Sequence, residues 1–97
     1  MPDTVIHTAY FTVRPDKLSA ASELLPKMVA SASEEPGCYF YQPAVQIREC
    51  LICFHEAYAD AEAVLAELAK VGAMIGKLAA MSIVRLEVSG ARAHSTS

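Results

Sequence analysis

No tryptophan occurs in this sequence, cysteine appears three times and glycine four, and charged residues fill only 20% of its 97 positions. Each shortage excludes something. Eight Lys and Arg, scattered along the chain and outnumbered by eleven Asp and Glu, leave a net charge of −3. A nucleic-acid partner wants a clustered basic face, so none is expected. No apolar run approaches the roughly 18 residues of a membrane span, and the start, Met1-Pro2-Asp3-Thr4, has neither the basic nor the apolar region of a secretory signal. The expectation is a cytoplasmic protein that meets no membrane. Cysteine is too sparse for a framework. Cys50-Leu51-Ile52-Cys53 contains the one close pair, and strand residues three apart point to opposite faces about 10 Å from each other, beyond disulfide or shared-zinc reach. No second pair exists to complete a zinc site, so no metal is expected, and Cys38, Cys50 and Cys53 read as small packing residues. The chain has no internal repeat and no low-complexity tract.

What is abundant is apolar surface. Hydrophobic residues make up 54% of the chain, above the roughly half expected of an average domain, while a single domain of this size buries only about two-thirds of its unfolded surface. Such a chain is expected to hide surface against a partner. Residues 1–97 are read as one domain, with Gly90 to Ser97 a polar tail. Val5 to Val13 is rich in β-branched and aromatic residues and stops at Arg14-Pro15-Asp16, a strand end and helix start. Leu18, Ala21, Leu25, Met28 and Ala32 then recur at three- to four-residue intervals, the spacing of a helix with one buried stripe. Pro26 inside that helix predicts a kink. Cys38 to Gln42 and Glu49 to Tyr58 read as two strands joined by a Pro43 to Arg48 loop. A second helix follows Asp60, carrying Val64, Leu65, Leu68 and Val71 inward, with Gly72 and Gly76 breaking its regularity near Met74 and Ile75. Met81 to Ser89 is the last strand.

The order strand, helix, strand, strand, helix, strand is the ferredoxin-like βαββαβ arrangement of the α+β class, with both helices on one face of a four-stranded antiparallel sheet. Leu51-Ile52-Cys53-Phe54 is apolar toward both faces, so the face without helices needs a cover. A homodimer that closes two sheets into an α/β barrel supplies one.

Two phrases carry a more specific signal. Glu35-Pro36-Gly37-Cys38-Tyr39-Phe40-Tyr41 reads as helix stop, tight turn and strand entry, with Gly37 expected to take the positive φ of a Pro-Gly turn. His55-Glu56-Ala57-Tyr58-Ala59-Asp60 closes a strand and caps the second helix, Asp60 accepting from its free N–H groups and Glu62 adding negative charge to its first turn. Together they resemble the antibiotic biosynthesis monooxygenase family of small dimeric α/β barrels, over roughly Val5 to Gly90. The resemblance implies a pocket between sheet and helices, sized for a small planar aromatic or quinone-like ligand. It also implies oxidation by molecular oxygen with no cofactor, because a deprotonated phenol or enolate can itself donate an electron to oxygen. The protein then supplies a base, an oxyanion stabiliser and a dry cavity.

Candidate catalytic residues are His7 and Glu67. His7 lies on the row Val5, His7, Ala9, Phe11, Val13, where relatives place a pocket-facing Asn, and its imidazole can serve as a base near neutral pH. The alternative is a hydrogen-bonded His on a half-buried strand. Glu67 stands where many relatives carry a His; helical spacing from Val64 and Val71 aims it at the pocket, and a solvated Glu is the alternative. Tyr39, Tyr41, Glu56, Met74 and Arg85 complete the set as candidate substrate-binding residues. The tyrosines share a strand face, with packing as their alternative role. Glu56 is expected to hold a hydrogen bond or an ion pair to Arg85, and His55 to face the opposite side. Haem-degrading relatives use an Asn and a Trp where His7 and Glu67 stand here, and Lys77 is nearest their axial His, which argues against haem chemistry. A cofactor-free monooxygenase is thus the leading function, a non-catalytic ligand-binding or structural dimer the alternative, and a cofactor-free isomerase a third.

Overall fold

The computed structural model describes residues 3–90. Four strands, β1 (Val5–Val13), β2 (Cys38–Gln46), β3 (Leu51–Tyr58) and β4 (Ser82–Gly90), form an antiparallel sheet in the order β2-β3-β1-β4. With helices between β1 and β2 and between β3 and β4, this is the ferredoxin-like α+β fold. Gly90 ends β4 opposite Val5; the rest of the expected tail lies outside the described residues.

The first helical region is two helices, where the sequence predicts one kinked helix. After a 3-10 turn at Pro15–Lys17, α1 covers Leu18–Ser22 and α2 covers Leu25–Ser33. Pro26 sits in the first turn of α2, where a missing N–H costs nothing because that donor has no intrahelical acceptor. The expected stripe survives the break. Ala21, Leu25, Met28 and Ala32 are buried, and the core forms where the first three meet Phe11, Ile52 and Phe54 from the sheet and Leu78 from the last helix.

β2 runs four residues past its expected end, through Pro43 to Gln46. An edge strand is where a sheet accepts proline, and β2 pairs only with β3. The turn that follows places Cys50 at φ 52°, outside the strand, so Cys50 and Cys53 do not share it. Gly37 does not take the positive φ expected of it. A Cβ there would lie 2.5 Å from that of Ala63, so glycine answers a close approach of turn and helix.

α3 (Ala61–Ala80) is uninterrupted for 20 residues. Asp60 caps it as expected, its Oδ1 accepting from the Ala63 N–H at 2.9 Å. The predicted break at Gly72 and Gly76 is absent. Both lie on the exposed side, and tertiary burial of Val71 and Leu78 outweighs their weak helix preference. Leu65 and Leu68, expected inside, are 64% and 44% exposed.

Candidate functional site

The row Val5, His7, Ala9, Phe11 of β1 faces the helices, and the antiparallel register sets Glu56 directly opposite His7, with Tyr41 opposite Glu56 on the far side. A strand alternates its faces, so Tyr58, two residues beyond Glu56, shares that side. Four polar side chains from three strands therefore converge on one patch of sheet. Above it, α2 contributes Met28 and α3 contributes Val64, Glu67, Val71 and Ile75, enclosing a cavity of about 460 Å³. The remaining wall is β4, whose Val84, Leu86 and Val88 line the cavity while staying about half exposed. The mouth is consequently apolar.

Glu56 is the centre of the polar patch. Its Oε1 lies 2.6 Å from His7 Nε2 and accepts the Tyr58 hydroxyl at 2.6 Å. A carboxylate oxygen can only accept, so Nε2 is assigned as the donor of this contact. In the neutral ring that assignment leaves the lone pair on Nδ1, which has no hydrogen-bond partner among the described residues. The His7 ring meets the Tyr58 ring edge-on at 5.5 Å, and Tyr41 packs edge-on against Phe54 at 5.6 Å, which limits how either phenol can turn. Burial pushes the Tyr58 hydroxyl far up, with its hydrogen bond to Glu56 adding to the effect; burial, then the Glu56 charge, does the same for Tyr41. Both phenols stay protonated, and Tyr58 donates to Glu56.

Glu67 differs from Glu56. It is 2% exposed, and neither carboxyl oxygen has a hydrogen-bond partner among the described residues. Burial raises it; nearby Lys70 opposes this, while Glu35 and Glu56 reinforce it. Lys70 is itself engaged, with Nζ 3.1 Å from Glu35 Oε1.

His7, Tyr41, Glu56 and Glu67 are thus brought together, and three expected site residues are not. Tyr39 is the extra residue of a β-bulge between Cys38 and Phe40, and is 58% exposed. The same bulge lets Cys38 and Tyr41, three apart, pair opposite Tyr58 and Glu56 on the cavity side. Met74 packs against the core cluster, outside the helical stripe that lines the cavity. Arg85 falls on the other sheet face, since Val84 and Leu86 face the cavity. Its guanidinium sits 4.0 Å over the Tyr10 ring and pairs with Glu87, so the partner of Glu56 is His7 in place of Arg85. His55 is exposed on that far face beside Thr8. Sequence reasoning missed Tyr58 as a site residue. The signal was available, because Glu56 and Tyr58 are two apart on one strand.

Among the described residues, no group of three or more His, Cys, Asp or Glu side chains is placed to hold a metal ion, and no helix is long and apolar enough to cross a membrane.

A sequence model of the antibiotic biosynthesis monooxygenase family matches residues 4–69. No match is found among the curated proteins. Solved structures share the fold at low identity. Rv0793 from Mycobacterium tuberculosis is 22% identical, with a TM-score of 0.82 over 91% of this chain and 94% of that one. MupZ from Pseudomonas fluorescens is 24% identical, with a TM-score of 0.79 over 91% and 72%. SnoaB from Streptomyces nogalater, a cofactor-independent oxygenase whose structure is of the mutant N63A, is 20% identical, with a TM-score of 0.70 over 93% and 94%.

Proposed function

The chain belongs to the antibiotic biosynthesis monooxygenase family, and on that premise we propose that it is a cofactor-independent monooxygenase, working as a homodimer on a small aromatic or quinone-like molecule held in the cavity. One observation carries the reading: a histidine stands in the wall of an apolar cavity with Nε2 2.6 Å from the Glu56 carboxylate, which also accepts the Tyr58 hydroxyl. The likeness to SnoaB supports it.

His7 Nδ1 takes a proton from the bound phenol or from the ring carbon beside its carbonyl, and the Glu56 carboxylate stabilises the resulting imidazolium. The electron-rich anion reacts with oxygen directly. Two C–H bonds of a ring methylene break, one oxygen atom becomes the new carbonyl, and the other leaves as water with both hydrogens. The substrate supplies every electron. Tyr41 is the neutral donor placed to stabilise negative charge on a ligand oxygen, and the apolar walls exclude bulk water from the anion.

Oxygen uptake with a panel of anthrone substrates after exhaustive chelation tests the reading. Uptake above the uncatalysed rate is expected, with His7→Ala lowering it by roughly a hundredfold, the usual worth of a general base. A His7 that only supports the fold would change stability and leave the rate alone. If no such substrate gives uptake while a hydrophobic dye still binds stoichiometrically, the non-catalytic ligand-binding dimer is the better account.

A further inference from the structure

Glu67 faces the cavity but stands outside the hydrogen-bonded chain of His7, Glu56 and Tyr58. Every element packed around it fails to supply what an ionised carboxylate needs. On its own helix, Lys70 is engaged by Glu35, which also brings negative charge from the end of α2. On β3, Glu56 is a second carboxylate, and the Tyr58 proton already serves it. On β2, neither the Tyr41 hydroxyl nor the Cys38 thiol, which donates to the Phe40 carbonyl, makes a hydrogen bond to a Glu67 oxygen. On β1, His7 gives its Nε2–H to Glu56. The other residues lining the cavity are apolar. An anion buried there would lose its hydration and gain no hydrogen bond in return, and the one favourable charge, Lys70, is shared with Glu35. The neutral acid, by contrast, carries an O–H whose acceptor must come from outside the protein.

We propose that Glu67 determines ligand specificity as a neutral carboxylic acid, donating its O–H to a carbonyl oxygen of the molecule in the cavity. A planar ketone or quinone is then recognised by Glu67 through its carbonyl, while the unadorned hydrocarbon frame is not. The inference rests on the reading that the cavity holds the ligand, and is independent of any reaction with oxygen. It accounts for an orphaned acid in an apolar setting, a position where Leu or Met would serve the fold better.

The test compares two tricyclic probes of nearly the same shape, 9-fluorenone and fluorene, by titration calorimetry on the full chain. At about pH 6, wild type is expected to bind fluorenone roughly tenfold more tightly, the worth of one hydrogen bond. Glu67→Gln keeps a donor and most of that preference. Glu67→Met loses it by weakening fluorenone alone, and melts no lower than wild type. Raising the pH erodes the preference in wild type and leaves that of Glu67→Gln unchanged. Equal affinity for both probes in wild type, or an intact preference in Glu67→Met, would overturn the proposal. If Glu67→Met fails to fold, a wild-type preference that stays flat with pH overturns it. Binding of neither probe removes the cavity reading along with it, whereas a fluorenone preference without oxygen uptake upholds Glu67 and removes only the oxygenase.

Discussion

Glu56 and Glu67 face one cavity, from the sheet and from the helix, and what separates them is the number of protons offered to each. Glu56 receives two hydrogen bonds on a single oxygen; Glu67 receives none. The difference has a measurable pH signature. The unfolded chain releases the Glu67 proton near the ordinary 4.5, and burial delays that release in the native state. Across that window the native protein binds one proton more than the unfolded chain, so this group's contribution to stability falls as pH rises. Glu67→Gln cannot ionise and removes the decline. Thermal midpoints from about pH 4 to pH 8 should therefore diverge in favour of Glu67→Gln as pH increases; parallel curves would contradict a buried neutral Glu67. At this scale the sequence was partly legible. Strand parity aimed His7 correctly and helical spacing aimed Glu67. Arg85 was misplaced because an attractive charge partner was given more weight than its own parity with Val84 and Leu86.

Elements are held here by tertiary contact more than by local preference, and α3 shows how far. A helix with glycines at positions 72 and 76 reads as two short pieces, yet it runs unbroken because Val71 and Leu78 are buried on either side of them. A Cβ at Gly72 or Gly76 meets nothing within 4 Å. Gly72→Ala and Gly76→Ala should therefore each raise stability by roughly 0.5–1 kcal/mol, the ordinary gain from removing a helical glycine. Gly37→Ala should do the reverse, by roughly 1–3 kcal/mol, because its new Cβ overlaps Ala63 and pushes on the capped end of α3. Urea denaturation of the three variants checks both signs at once. The sequence displayed the glycines but not their surroundings, which explains why Gly37 was assigned a φ it does not adopt. Likewise Pro43 looked like a loop residue until β2 proved to be the edge strand, and Pro26 looked like a kink until a new helix began at Leu25.

For the whole molecule, strand order and helix placement were legible because long periodic segments dominate them, while the full extent of the exposed apolar surface was not. Apolar surface is unmet on the face away from the helices, where Ile6, Phe40 and Ile83 are exposed. A second exposed group stands at the cavity mouth, Leu65 and Leu68 of α3 with Val84, Leu86 and Val88 of β4. Patches of this kind are uncommon on a lone soluble chain. A dimer burying more than about 1,000 Å² is the expected state, and sedimentation showing only monomer at micromolar concentration would refute it. If the cavity uses His7 to prepare a substrate that reacts with oxygen unaided, turnover of an anthrone substrate under isotopically heavy oxygen gas in chelated buffer will show it by mass spectrometry of the product. One heavy oxygen atom is expected per quinone formed, at a rate that collapses in His7→Ala. Product without label, or labelled product formed equally fast by His7→Ala, would contradict it.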